Sequence, residues 1–406
     1  MANTFLKRKW TLNRLWELYR DGLPQWSHLF LVLLLLFFLT MRVPRPVSLE
    51  FFDSVTRGGL QLTPIIGPLL MSLALVFCGL IIELLGVAPA TAHLWALGVA
   101  TSTIILPLTR KRPLDCATAA LLAAIFLVAL YIRQEKKGIT LGLFVVLYVV
   151  AAAIRPFILL TIPLFVAFLL NYSTLPEKLR RWWVFLAAVG PLLIFALLFT
   201  FLVPQADRST LKQSFSLWTL GCRLWSLVAA PGRSLFLHSP LLVLTFLGLR
   251  ALSAKDEAVG RLMKGTIALG VTIAVLFSAS PGSPAWQAEP FLAFLPLALL
   301  PLAFLELPRR KWELRIFFTL GLVIQLLALL VGPAILHYHG QDMRTVYNPD
   351  YCPIYRAFDM AYTGRMDFGF LSFQSEQKVA LAFGLFVVAS LFLLNGAALA
   401  HHINQH

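Results

Sequence analysis

Arg233 and His238 stand about one helical turn apart in the segment Ala230-Pro231-Gly232-Arg233-Ser234-Leu235-Phe236-Leu237-His238-Ser239-Pro240, where an apolar helix begins. An arginine at the outer end of a helix can fork two donors onto phosphate oxygens and neutralise the charge that develops on a leaving group. A histidine one turn further in adds a hydrogen bond or donates a proton. The competing reading is an arginine that only snorkels to lipid headgroups, the commonest fate of a boundary arginine.

Carboxylates offer the complementary chemistry. Pro46 to Gly59 contains Asp53, with Glu50 three residues earlier and on the same face if the segment is helical. One carboxylate can take the proton of an attacking hydroxyl, and Asp53 is the first candidate and Glu50 the second. A solvated loop, or Asp53 paired with Arg57 at i,i+4, accounts for the same residues without catalysis. Arg155 lies between two apolar segments and must sit at an interface or face a polar cavity. It reads as a secondary phosphate contact or as a carboxylate's partner. His337, His339 and Asp342 fit no standard metal-ligand spacing, and an interfacial aromatic belt explains the interleaved Tyr338, Tyr347, Tyr351, Tyr355 and Tyr362 equally well.

The elements that must carry these residues follow from composition. The chain has 406 residues, 59% of them hydrophobic and only 13% charged, with mean hydropathy +0.80. Soluble domains carry about a quarter charged residues, so this is the composition of an integral membrane protein. Apolar segments fall near 26–42, 64–86, 92–108, 116–132, 139–153, 156–171, 184–203, 234–252, 265–279, 291–307, 315–336 and 379–399. The expectation is an all-α polytopic protein, one integral membrane domain over 1–406, with about 11–13 transmembrane helices. The first apolar run follows Lys7, Arg8, Lys9, Arg14 and Arg20 with no cleavage motif after it, and reads as a retained helix.

The net charge of +15 is a topological signal here rather than a nucleic-acid footprint, because Lys and Arg gather in loops that stay cytoplasmic. Arg133, Lys136 and Lys137; Lys178, Arg180 and Arg181; Lys255, Arg261 and Lys264; and Arg309, Arg310, Lys311 and Arg315 all fall on one side of an alternating scheme with both termini cytoplasmic in the plasma membrane. Arg110-Lys111-Arg112 falls on the other side, unless 64–86 is re-entrant. Segments 139–153 and 156–171 could be one broken helix. Outer loops are then 43–63, carrying interfacial helices, 204–233 and 337–378. Cys78, Cys116, Cys222 and Cys352 form no C-x-x-C pair, so neither disulfide framework nor zinc site is indicated. No phosphate-cradling G-x-x-x-x-G-K-[ST] occurs, which argues against an ATP-driven machine.

Several segments together resemble the GT-C superfamily of membrane glycosyltransferases, in particular its protein-mannosyltransferase-like members that draw sugar from a polyprenyl-phosphate carrier. Arg112-Pro113-Leu114-Asp115 looks like the family's "YPEPLA" or "LSEPL", and Ala153-Ile154-Arg155-Pro156 like its "LTRP" junction. Arg233 to Pro240 looks like "GRGLFLYSP", with His238 in place of the usual Tyr. Trp286-Gln287-Ala288-Glu289-Pro290-Phe291 stands where "WSYGPRYLLPALP" is expected, and Asn348 to Pro353 resembles a late "DP-x-x-SP" element. The resemblance implies a catalytic Asp in the first outer loop, at Asp53 or Glu50, and substrate contacts at Arg233, His238, Arg155, Asp115 and Glu289. This chain departs from the pattern in lacking the paired "DE" of that loop and in carrying Glu289 where the family has Arg, as a divergent member would.

The implied activity is transfer of a sugar from the polyprenyl-phosphate donor to a glycan, lipid or protein acceptor of the cell envelope at the outer membrane face. No resident cofactor, metal or nucleic-acid partner is expected, with a divalent cation left open. Two other readings stay open: a secondary transporter or lipid flippase, and a catalytically inactive glycosyltransferase relative acting as an assembly partner.

Overall fold

The computed structural model describes residues 26, 29–34, 36, 63–109, 113–135, 138–169, 217–230, 234–277, 289–305, 307–330 and 354–355. Among them there is helix and connection, and no strand. This is what an apolar chain requires where water is absent, because a helix satisfies its backbone groups within its own segment.

The elements in order are α1 (Thr63–Leu84), α2 (Pro89–Ser102), α3 (Ile105–Leu108), α4 (Pro113–Glu135), α5 (Gly138–Ile154), a 3-10 turn (Pro156–Thr161), α6 (Ile162–Leu169), α7 (Leu217–Ala229), α8 (Leu235–His238), α9 (Leu241–Lys255), α10 (Glu257–Phe277), α11 (Glu289–Leu292), α12 (Leu295–Leu299), a second 3-10 turn (Leu300–Phe304) and α13 (Leu307–Leu330). Three of these helices contain stretches long and apolar enough to cross a membrane: Ile66–Leu84, Pro113–Arg133 and Glu257–Val275. They suggest a membrane protein. So does α5, which leaves Leu141, Val145, Val149 and Val150 exposed, a large apolar face that would be a liability in water.

Contacts at the helix ends define two poles. At one, Gly67 of α1 abuts the Thr109 carbonyl and Pro113, Asp115 of α4 meets Arg155 at the end of α5, and Ser239 before α9 accepts a hydrogen bond from Ile104 after α2. At the other, Arg133 at the end of α4 pairs with Asp256 between α9 and α10 at 3.5 Å. Lys255 Nζ donates to the Gly86 carbonyl after α1 at 3.4 Å and lies 5.3 Å over the Phe304 ring that precedes α13. Helices α1, α4 and α9 therefore run from the Asp115 pole to the Lys255 pole, and α2, α5 and α10 return. Helix α1 is one continuous 22-residue helix; Arg110-Lys111-Arg112 lie outside the described residues.

The turns are tight for local reasons. Gly86 adopts φ 83°, a left-handed conformation that glycine enters without a Cβ penalty, and it reverses the chain between α1 and α2. Between α9 and α10 a single residue, Asp256, suffices. Its Oδ1 caps α10 by accepting from the Ala258 and Val259 amides at 2.9 and 3.1 Å. Polar side chains at the end of α2 turn back on their own helix: Thr101 donates to the Leu97 carbonyl at 2.8 Å and Thr103 to Val99 at 2.7 Å. This satisfies hydroxyls buried among apolar side chains.

Close approach also rests on glycine. A Cβ at Gly248 of α9 would collide with the Pro301 carbonyl, whereas one at Gly142 of α5 meets nothing within 4 Å. Gly248→Val should therefore destabilise the detergent-solubilised protein by about 1–3 kcal/mol in thermal unfolding, as overpacked cores do. Gly142→Ala should leave the transition unchanged or slightly raised, since alanine is the better helix former.

Candidate functional site

The Asp115 pole concentrates the polar chemistry, and its centre is an ion pair. Asp115 occupies the first turn of α4, where a negative charge is favoured by the helix dipole. Its Oδ1 lies 2.9 Å from a terminal guanidinium nitrogen of Arg155, with Asp115 1% and Arg155 33% exposed. A carboxylate buried so completely is tolerated only when paired and hydrogen-bonded. Of the two roles that the sequence left open for Arg155, the structure gives it the carboxylate partner. One third of the side chain still faces outward.

The sequence places Arg155 there through the proline that follows it. A residue before proline is pushed out of the helical region, and Arg155 has φ −143° and ψ 99°. Helix α5 therefore stops, and the chain resumes as a 3-10 turn. Two backbone pairs flank the break: Arg155 N donates to Ala151 O at 2.8 Å, and Ile158 N donates to Arg155 O at 3.0 Å. Across the break the Tyr148 hydroxyl and Thr161 Oγ1 are 3.0 Å apart, a further tie between α5 and the 3-10 turn. Arg155 is thus presented by a braced corner.

A second polar group surrounds the start of α8. Ser234 caps it, accepting from the Leu237 amide at 3.2 Å and donating to the Val228 carbonyl of α7 at 2.7 Å. His238 is wholly buried. Its Nδ1 lies 3.0 Å from the Ser234 carbonyl oxygen, and its own carbonyl accepts from Gln325 Nε2 of α13 at 2.5 Å. These contacts give His238 a part in fixing the break at Ser239-Pro240. Arg233 lies outside the described residues, but Ala230 and Ser234, which flank it, are joined by a hydrogen bond from Ser234 N to Ala230 O at 2.7 Å.

Asp53 and Glu50 also lie outside the described residues. Glu289 begins α11, close in the chain to Phe294, whose ring is 6.1 Å from that of Phe157 beside Arg155. The structure thus joins Asp115 directly to Arg155, while His238 is tied to Ser234 and α13. Among the described residues no three His, Cys, Asp or Glu side chains gather as a metal ion would need.

Two residues at this pole were not singled out by sequence. Arg223 of α7 is 4% exposed and donates to the Val275 carbonyl at the end of α10 at 3.5 Å. Gln325 is completely buried. Arg223 is the one charge in Leu217–Ala229, and Gln325 the one amide in the apolar half of α13. A lone polar residue of this kind inside an apolar helix was the available signal. Helix α7 itself lies in a stretch read as an outer loop. It is inside-out, burying Arg223 and Ser226 while exposing Leu224, Trp225 and Val228.

The coupling within the pair is measurable. Asp115→Asn and Arg155→Gln should each lower the unfolding transition, and the double variant should lose less than the sum of the two. The interaction energy from that thermal-unfolding cycle is expected at about 0.5–3 kcal/mol, the range for residues in direct contact. Compared with protein-family models and with curated proteins, the chain finds no match.

Proposed function

We propose that this chain is a polytopic, GT-C-type membrane glycosyltransferase that moves a sugar from a polyprenyl-phosphate carrier to a glycan, lipid or protein acceptor. The observation that carries the reading is the Asp115–Arg155 contact at 2.9 Å. Two residues from separate family-like segments meet at one pole, the pole where the Arg233-containing segment also enters its helix. Placing the opposite pole, with Arg133, Lys255, Arg261 and Lys264, in the cytoplasm by the positive-inside rule puts this pair at the outer face. The reading carries about 11–13 spans with both termini cytoplasmic.

In this mechanism Arg233 and the outward edge of Arg155 hold the donor phosphate, and Asp115 fixes the Arg155 guanidinium so that its fork needs no reorientation. The acceptor hydroxyl oxygen bonds to the anomeric carbon as the carbon–oxygen bond to phosphate breaks. Polyprenyl phosphate leaves with the bonding pair, and the hydroxyl proton passes to Asp53, or to Glu50 if that carboxylate is the nearer. Asp53→Asn should abolish transfer to acceptor while leaving the thermal transition and donor binding intact, because an amide keeps the size but takes no proton. Retained turnover in both Asp53→Asn and Glu50→Gln would remove the catalytic assignment.

Arg233→Ala should weaken binding of a polyprenyl-phosphate sugar, and Arg233→Lys should restore only part of it because the forked geometry is lost. The helix breaks at Arg155 and Ser239 would equally suit a lipid-moving transporter. Reconstituted vesicles separate the two, since a transporter relocates a labelled polyprenyl-phosphate sugar across the bilayer without changing it chemically. Orientation has its own check: Cys substituted at Arg180 or Arg310 should resist membrane-impermeant reagents added outside.

A further inference from the structure

Among the described residues, cations at the Asp115 pole are turned inward, and those at the Lys255 pole are mostly turned outward. At the Asp115 pole Arg155 is two-thirds buried and Arg223 almost wholly so. At the Lys255 pole Arg133 turns inward, onto Asp256 and 5.0 Å over the Phe168 ring. Arg250, Arg261, Lys264 and Arg315 are all exposed there.

The exposed stripes make a common pattern. Along α10 the exposed positions are Glu257, Arg261, Lys264, Ala268 and Thr272, at helical spacing, while Val259, Leu262, Met263 and Thr266 are buried. Along α9 they run Val243, Phe246, Leu247, Arg250, Ala254 and Lys255. On α13 Trp312, 74% exposed, lies under Arg315 with the guanidinium 5.6 Å from its ring, and Ile316, Leu320 and Val323 follow. On all three helices the outward face changes from uncharged to charged on approaching the same pole, with Lys or Arg on each and an acid, Glu257 or Glu313, on two of them. That is the gradient of a surface passing from acyl chains into headgroups, with a tryptophan at the boundary.

We propose that Arg250, Arg261, Lys264 and Arg315 form a binding surface for anionic phospholipid headgroups. Topology alone needs positive charge near this end and places no demand on where it points; Arg133 shows that a cation here can be used internally. Of the outward cations, Arg261 and Lys264 stand at the start of the apolar stretch Glu257–Val275, within snorkelling reach of the headgroup level. The nearby acids on these faces are Glu257 and Glu313. Glu257 is 76% exposed, with its carboxylate 3.9 Å from Arg261, a distance and exposure at which an ion pair contributes little and a headgroup phosphate can compete. Clustered Lys and Arg at a cytoplasmic membrane boundary attract anionic lipid through charge. The inference rests on the chain crossing a bilayer and is independent of the glycosyltransferase reading.

The test uses the full chain in dodecyl maltoside micelles doped with dioleoyl-phosphatidylglycerol or, at equal mole fraction, dioleoyl-phosphatidylcholine. The phosphatidylglycerol sample should unfold at the higher temperature, and native mass spectrometry should show more bound phosphatidylglycerol than phosphatidylcholine. In Arg250→Gln/Arg261→Gln/Lys264→Gln both differences should fall by at least half, while Arg250→Lys/Arg261→Lys/Lys264→Arg keeps them. If the triple Gln variant does not fold, Arg261→Gln and Lys264→Gln singly, both at exposed positions, should each reduce bound phosphatidylglycerol. Equal behaviour of the two lipids with the unaltered chain, or an undiminished preference in the Gln variants, overturns the proposal. So does competition by inorganic phosphate at matched concentration, which would make this a free-phosphate site.

Discussion

Every interruption of a helix in an apolar bundle frees backbone groups that water is not there to satisfy, and this constraint governs the arrangement at the Asp115 pole. Three interruptions meet there: after α2, after α5 and between α8 and α9. Each is closed by a named donor or acceptor. Ser239 takes the Ile104 amide, Gln325 donates to the His238 carbonyl, and Thr161 Oγ1 donates to the Ile158 carbonyl in the turn after Arg155. The polar residues at this end are therefore there for two reasons at once. They pair the backbone, and in doing so they fix where Arg155 and the segment before α8 point.

The Asp115–Arg155 pair shows why such closure matters for chemistry. A buried carboxylate with a partly exposed guanidinium is an expensive arrangement unless the geometry is held, because desolvation penalises both charges. Proline after Arg155 removes the helical option, and the first turn of α4 favours the Asp115 anion. Both partners are thus positioned by their own local sequence before they meet. At the opposite pole the same logic gives a different result: Arg133 and Asp256 close the bundle, Asp256 also caps α10, and Arg250, Arg261, Lys264 and Arg315 are left outside.

Much of the helical layout was legible because periodicity and proline are local signals. The apolar runs 64–86 and 116–132 correspond to α1 and α4 within a few residues, and the junction at Ile154-Arg155-Pro156 is a real break. The structure departs from the sequence pattern where polar residues lie within helices. Helix α10 begins at Glu257 rather than near 265, because Arg261 and Lys264 sit on an exposed stripe that reads as a solvated connection. Helix α7 is hidden for the inverse reason, with Arg223 and Ser226 turned inward and Trp225 outward. The run 291–307 is divided into α11, α12 and a 3-10 turn, since Pro296 and Pro301 each interrupt the ladder.

The candidate site was legible only as residue types. Composition marks Asp115 and Arg155 as charges that apolar surroundings cannot leave alone, but which charge answers which is a tertiary fact. Forked recognition of phosphate and of carboxylate makes the same demands on an arginine, so the sequence kept both roles for Arg155. The structure uses one edge of the guanidinium for Asp115 and leaves part of the side chain exposed. Holding the first edge removes the entropy that a free arginine would lose on meeting a second anion. On the proposed reading, a carboxylate that looks like competition for a phosphate is what would prepare the arginine to bind one.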